Sequence, residues 1–193
     1  MTRQVSPVLP SRDFLPQIIN RFDNPKVIEV GVEFGGYTDI YYDQITSFNG
    51  HIWLLDLWQT EGNDEYFSKR EGQVEKGYEI IKRKYSEKEN VTLIKGSAFE
   101  KHEEFEDNFF DWIYIDCDHT YEGISKNIEV WWPKLKKGGV FSGHDYNPDP
   151  ENEFYDHMKI NKAVDENFGA DGLLSEGFQL TQEQYYQSWY LFK

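Results

Sequence analysis

Five side chains that can take up, release or hold charge crowd into two short stretches of this chain. Asp116, Asp118 and His119 close the run Trp112-Ile-Tyr-Ile-Asp-Cys-Asp-His119, and His144 and Asp145 close Gly138-Gly-Val-Phe-Ser-Gly-His-Asp-Tyr146. An unperturbed imidazole titrates near neutrality, so His119 suits proton abstraction, with Asp118 orienting it or acting as base itself. The bland alternatives are a helix-start histidine bonded to Asp116 or Asp145, and a His144 that merely satisfies Asp118.

A second set of residues suits ligand binding. Gly31-Val-Glu-Phe-Gly35-Gly36 follows the apolar run Lys26–Val30 and precedes Tyr37, Ile40, Tyr41 and Ile45 at helical spacing. Free amides and the helix dipole make such a turn a cradle for a ligand. A dinucleotide turn reads G-x-G-x-x-G, and its middle glycine lets the backbone approach a pyrophosphate. Here that slot is Glu33, and Glu29 stands at the end of the strand. Two carboxylates around the turn suit a cofactor bearing positive charge better than a diphosphate, although a G-x-x-x-G turn alone often serves only packing. Asp56 ends His51-Ile-Trp-Leu-Leu55, 21 residues after Gly35, about where doubly wound folds place the acid that takes ribose hydroxyls. Ser97 and Ala98 follow the run Val91–Ile94, and small residues with a hydroxyl there can edge an adenine or cap a helix.

The elements needed to position these residues are legible in the spacing of apolar side chains. Between the two acidic stretches Ile124, Ile128, Trp131 and Leu135 recur at helical spacing, Lys134, Lys136 and Lys137 crowd the last turn, and two glycines end it. Strand, crossover helix and strand form a βαβ unit, so the strands run parallel and are covered on both faces. Five successive strands then end in Gly31, Asp56, Gly96-Ser97, Asp116 and His144-Asp145, along the edge where open α/β sheets bind ligands. Further helices are expected over Phe14–Phe22, Val74–Tyr85 and Ile160–Phe168. Leu173–Leu180 and Ser188–Phe192 are read as a closing hairpin, and residues 99–111 as acidic and irregular. Residues 57–70 read as a loop able to serve as a lid, and residues 146–156 as a proline-broken loop beside the site. The expected organisation is an arm and short helix over residues 1–24, then one domain over residues 25–193.

Composition narrows the partners. With 193 residues, a net charge of −15 and 17% aromatic side chains, the chain is long enough for one ring-rich core and repels polyanions. Nucleic acid and anionic membrane are therefore excluded as expected partners, and most of the charge serves solubility. The single cysteine, Cys117, excludes an intrachain disulfide, fits a reducing compartment and reads as a buried thiol rather than a nucleophile. No apolar leader segment or 18-residue apolar run occurs, so a cytoplasmic location is expected.

Val27-Ile-Glu-Val-Gly-Val-Glu-Phe-Gly-Gly36, Leu54-Leu-Asp-Leu57, and above all Ile115-Asp-Cys-Asp-His-Thr-Tyr121 with Gly138–Tyr146 resemble a class I S-adenosylmethionine-dependent methyltransferase. The likeness is strongest to small bacterial members related to catechol and macrolide-sugar O-methyltransferases. It extends to Asn161–Phe168 and Ser188–Lys193 and so covers residues 25 to 193. Many Rossmann-like proteins share the glycine turn, whereas the Asp-x-Asp-His-x-Tyr and Gly-His-Asp-Tyr pair is more specific. The resemblance implies a Rossmann-like, doubly wound, mostly parallel seven-stranded sheet with an antiparallel last strand.

It further implies S-adenosyl-L-methionine as methyl donor. Glu29, Gly31 and Gly35 would hold its methionine part, with Asp116 beside them, Asp56 its ribose, and Ser97 with Ala98 its adenine edge. In metal-assisted relatives an acid matching Asp116 and an acidic pair matching His144-Asp145 bind a divalent metal, Mg²⁺ or similar. Here the pair is His-Asp, and an imidazole shifts the preference toward softer ions or no ion. His119 matches the position where some relatives carry the base. The implied reaction is direct methyl transfer to a hydroxyl of a small molecule or sugar, in a pocket drawn from the arm, residues 57–70 and residues 146–156, with Trp58, Tyr146, Phe154 and Tyr155 as lining; a homodimer is compatible with this. The rival readings are an NAD- or nucleotide-sugar-dependent enzyme on the same sheet, which Glu33 opposes, and a non-catalytic cofactor-binding homologue, which the crowded acids oppose.

Overall fold

Side chains alternate across the central strands, and that alternation builds two cores, one on each face of a single sheet. A computed structural model describes residues 8–59, 73–146, 159–168 and 177–193. On β1 (Lys26–Val30), Val27 joins one core and Ile28 and Val30 the other. On β4 (Phe110–Ile115), Trp112 and Tyr114 go one way and Ile113 and Ile115 the other. Both strands are buried throughout or nearly so, as expected of a parallel sheet with helices on both faces.

The sheet has seven strands in the order β3-β2-β1-β4-β5-β7-β6. Besides β1 and β4 these are β2 (His51–Asp56), β3 (Val91–Lys95), β5 (Leu135–Tyr146), β6 (Gln179–Leu180) and β7 (Gln187–Phe192). Strands β1 to β5 pair in parallel, and β7 runs antiparallel to both β5 and β6. The closing hairpin therefore inserts its second strand beside β5 and leaves the first, only two residues long, at the edge. The remainder of the expected Leu173–Leu180 strand, residues 173–176, lies outside the described residues.

One face is covered by α1 (Leu15–Ile19), α2 (Gly36–Ser47) and α3 (Gln73–Tyr85), which bury Leu15, Ile18, Tyr37, Tyr41, Ile45, Ile81 and Tyr85. A short helix, α4 (Ala98–Lys101), follows β3. The opposite face is covered by α5 (Tyr121–Trp131) and α6 (Ile160–Phe168), whose Ile124, Ile128, Trp131, Val164 and Phe168 pack on Phe141 and Trp189. Each such buried side chain contributes about 1.5–3 kcal/mol. Under α2 the rings of Tyr37, Tyr41, Trp112 and Tyr114 form one layer, with centroids 4.3 Å apart for Tyr37–Tyr114 and 5.3 Å for Tyr41–Trp112. The buried Trp112 Nε1 donates to Ser142 Oγ at 2.8 Å, so the layer's indole is satisfied.

Two local expectations are corrected. The helix before β5 ends at Trp131, not among the lysines. Pro133 has no amide to continue the α ladder, so the chain tightens into a 3₁₀ turn over Trp132–Lys134 and is extended at Leu135. Lys136 and Lys137 thus lie on β5, where Lys136 Nζ meets both carboxylate oxygens of the buried Asp111 at 2.8 Å. Residues 99–111 are also more regular than their acidity suggests, since they contain most of α4 and the first two residues of β4. Among the described residues no helix is long and apolar enough to cross a membrane.

Candidate active site

The strand order reverses between β1 and β4, and the crevice beyond their carboxyl ends is where this class of sheet binds ligands. The two backbones touch there. Gly31 has φ +94°, and a Cβ on it would lie 2.0 Å from the carbonyl oxygen of Asp116. Only glycine fits such an approach. The turn then runs through Glu33, itself at φ 51°, to Gly35 at φ +76°, where a Cβ would meet Ile81 Cδ1 at 2.3 Å. α2 starts at Gly36, and no side chain caps its first amides.

Asp56, the last residue of β2, braces this turn. Its Oδ2 accepts the amides of Val32 at 2.7 Å and Glu33 at 2.8 Å, and its Oδ1 accepts the amide of Trp58 at 2.8 Å. A carboxylate offers about four acceptor sites, so one remains for a hydroxyl of a ligand. Trp58, 1% exposed, donates through Nε1 to the Glu33 carbonyl at 2.9 Å and packs on Tyr78. It supports the turn from below, and in this arrangement it lines no open pocket.

Glu29 is 2% exposed beneath α2, with Thr38 Oγ1 and the Tyr41 hydroxyl donating to its Oε2 at 2.6 and 2.5 Å. Burial pushes its carboxyl up to about 8, against the pull of those two hydrogen bonds. Ser97 realises the cap alternative, its Oγ accepting the Phe99 amide at the start of α4. The Gly96 amide donates to the Asp56 carbonyl at 3.0 Å, which brings Ser97 and Ala98 to the same rim.

Beyond β4 the acids and histidines converge. His119 Nε2 lies 3.0 Å from Asp145 Oδ2 and 3.6 Å from Asp116 Oδ1, and His144 Nδ1 lies 3.1 Å from Asp145 Oδ1. The His119 nitrogen is buried and makes an ion pair rather than an aligned hydrogen bond. Burial disfavours its charge, but Asp116 and Asp145 outweigh burial and raise it to about 10. The two imidazoles in turn overcome burial and hold the Asp145 carboxyl well below the usual carboxylate range. One ligand atom each from Asp116, His144 and Asp145 lie within 4.8 Å of one another.

Asp118, at φ 37°, turns instead to Thr120, whose amide and hydroxyl donate to its Oδ1 at 3.2 and 2.7 Å. The acids that meet His119 are thus Asp116 and Asp145. Burial and the charges of Asp56, Asp116 and Asp118 push the Cys117 thiol up, which keeps it neutral. Tyr146 donates to Asp165 on α6 at 2.9 Å and so faces that helix. Residues 60–70, with their lid role, and residues 147–156, including Phe154 and Tyr155, lie outside the described residues.

One residue at the rim carried no sequence signal. Arg12 reaches the crevice from the N-terminal segment, with its guanidinium 5.1 Å from the Tyr37 ring centroid and 3.6 Å from Asp116 Oδ2. Nothing in its neighbours' spacing marks it, because it meets these partners only through folding.

Comparison with known proteins agrees with this fold. Residues 28–146, from β1 to the end of β5, match the family described as methyltransferase domain. No curated protein sequence matches the chain. Among solved structures, a putative caffeoyl-CoA O-methyltransferase from Staphylococcus aureus aligns with TM-score 0.62 at 17% identity, over 94% of this chain and 82% of that one. CalS11, a TDP-rhamnose 3'-O-methyltransferase of calicheamicin biosynthesis, aligns with TM-score 0.54 at 16% identity, over 91% and 74%. A spermidine synthase bound to the transition-state analogue AdoDATO aligns with TM-score 0.56 at 18% identity, over 95% of this chain, which spans only 57% of that protein's length. Identities this low speak for the fold. With the family match covering more than half of its residues, the chain belongs to the methyltransferase-domain family and has the fold of class I S-adenosylmethionine-dependent methyltransferases.

Proposed function

We propose that the protein methylates a hydroxyl of a small molecule or sugar, with S-adenosylmethionine as donor, His119 as base and a divalent cation held by Asp116, His144 and Asp145. The observation that carries this reading is the contact between Gly31 and Asp116, which joins the glycine turn to the acid-histidine cluster in one crevice. The donor brings an electrophilic methyl on a sulfonium, so the chain has chiefly to align the acceptor and remove a proton. The carboxylates of Asp56 and Asp116 suit a ribose diol and a positive charge, and the carboxylate of Glu33 in the turn opposes a diphosphate.

The cluster fits a divalent cation. Its three ligand atoms already lie close together, and the buried His119 nitrogen sits among them without an aligned hydrogen bond, a cationic stand-in between two carboxylates. Two carboxylates suit Mg²⁺ or Mn²⁺, and the imidazole of His144 widens the choice to softer ions. A bound cation would supply Lewis-acid polarisation of the acceptor oxygen.

His119 holds its proton because Asp116 and Asp145 flank it. Positive charge shared by those two acids would bring the imidazole back toward neutrality, where it can accept a hydroxyl proton. Isothermal titration calorimetry with S-adenosylmethionine, S-adenosylhomocysteine and NAD tests the core of the reading. Uptake of the first two and not of NAD is expected. A folded protein that takes up neither adenosyl compound would end it.

A further inference from the structure

Residues 8–14 are fixed over the crevice by contacts from three directions. Leu9 is buried in the α1–α3 core and its carbonyl accepts the Gln182 amide at 2.9 Å. The Arg12 amide donates to Glu183 Oε1 at 3.2 Å, and the Arg12 carbonyl accepts the Tyr37 hydroxyl at 3.0 Å. From this anchored backbone the Arg12 side chain runs across the Tyr37 ring to the end of β4. The guanidinium stays 29% exposed there, beside the first turn of α2.

A guanidinium presents a planar fork that pairs best with two oxygens of one carboxylate. Asp116 does not supply that pairing: it approaches through one oxygen at 3.6 Å, beyond hydrogen-bonding distance. The ring of Tyr37 takes the flat face through a cation–π contact, and the Tyr114 hydroxyl takes part of the edge, so the remaining N–H donors of the fork face an incoming anion. The amides at the start of α2 carry no side-chain cap and face the same end of the crevice with the positive end of the helix dipole. A carboxylate entering between Arg12 and that turn would meet positive charge from both.

We propose that Arg12 binds the α-carboxylate of the amino-acid end of the methyl donor and makes the site selective for a donor that carries it. This rests on the proposed donor. Tyr37, by stacking on the guanidinium and bonding the Arg12 carbonyl, acts as a positioning residue for it. The N-terminal segment thereby becomes part of the donor site, with the loop at Gln182 and Glu183 as its anchor.

Calorimetry on the full chain with S-adenosylmethionine and with decarboxylated S-adenosylmethionine, which keeps adenosine, sulfonium and amine but lacks the carboxylate, tests this. The wild type should bind the complete donor roughly 10- to 100-fold more tightly, the range for hydrogen bonds to a charged group. Arg12→Gln should lose most of that factor for the complete donor and leave the decarboxylated one within about twofold, and Arg12→Lys should recover part of it. Equal affinity of the wild type for both compounds would overturn the inference, even if Arg12→Gln fails to fold. So would an Arg12→Gln protein weakened equally toward both, since that marks a purely structural residue. A wild type that binds neither compound removes the donor reading itself, an outcome distinct from these two.

Discussion

His119 Nε2 and Asp145 Oδ2 lie 3.0 Å apart, and Asp116 Oδ1 approaches the same nitrogen at 3.6 Å. The imidazole is therefore a proton carrier set between two acids, at the rim where the glycine turn meets β4. Replacing it tests proton transfer directly. His119→Ala should lower turnover by about 10²-fold or more while changing donor affinity less than twofold, as steady-state kinetics and calorimetry would read. Unchanged turnover would take His119 out of the mechanism.

Removing the acid should free the proton. In Asp145→Asn the His119 pKa, about 10 with both acids present, should move toward the ordinary imidazole value, as NMR titration of the ring would follow. A histidine with a raised folded pKa stabilises the fold fully below its unfolded value of 6.5, and that contribution is lost as pH rises toward about 10. The variant should therefore show a flatter decline of Tm over this window. An unmoved His119 titration would deny the coupling.

The cation is tested by removing it. Dialysis against a chelator should cut turnover at least tenfold, and Mn²⁺ should restore it, with Asp145→Ala abolishing Mn²⁺ uptake in calorimetry or electron paramagnetic resonance. Full turnover in chelated, metal-free protein would leave the cluster as a charge relay alone.

Glu29 gives a pH signature of opposite origin. Its folded carboxyl titrates near 8 and its unfolded one near 4.5, so over that range the folded chain holds a proton that the unfolded chain has released. Stability from this group is complete below pH 4.5 and is lost as pH rises to about 8. Glu29→Gln, which can still accept from Thr38 and Tyr41, should gain in Tm relative to the wild type as pH climbs from 5 to 8. Parallel Tm curves would show that the group is not buried as described.

Gly31 tests the junction of β1 and β4. Gly31→Ala must place a Cβ 2.0 Å from the Asp116 carbonyl at a backbone angle of φ +94°. It should cost about 3 kcal/mol or more, a fall in Tm of roughly 6–12 °C for a domain of this size. A loss below about 1 kcal/mol would mean that the two strand ends do not touch.

The sequence by itself determined the sheet and the rim. Apolar runs at Val27–Val30, Ile52–Leu55, Val91–Ile94, Trp112–Ile115 and Val140–Gly143 end in polar residues, and strand period and chain reversal depend on neighbours in the chain, so they are readable locally. Helix ends were less legible, because Lys136 and Lys137 look like a helical last turn until Pro133 is weighed against them. What only the tertiary structure decided is which polar groups meet. Asp56 turns its carboxylate into the glycine turn, Asp118 turns to Thr120 while Asp145 takes His119, and Trp58 and Tyr146 pack inward. Arg12 is tied to Glu183, 171 residues away in the chain, and by that contact is aimed at Asp116. Such pairings follow from how packed elements bring distant backbone together, and no periodicity in the chain encodes them.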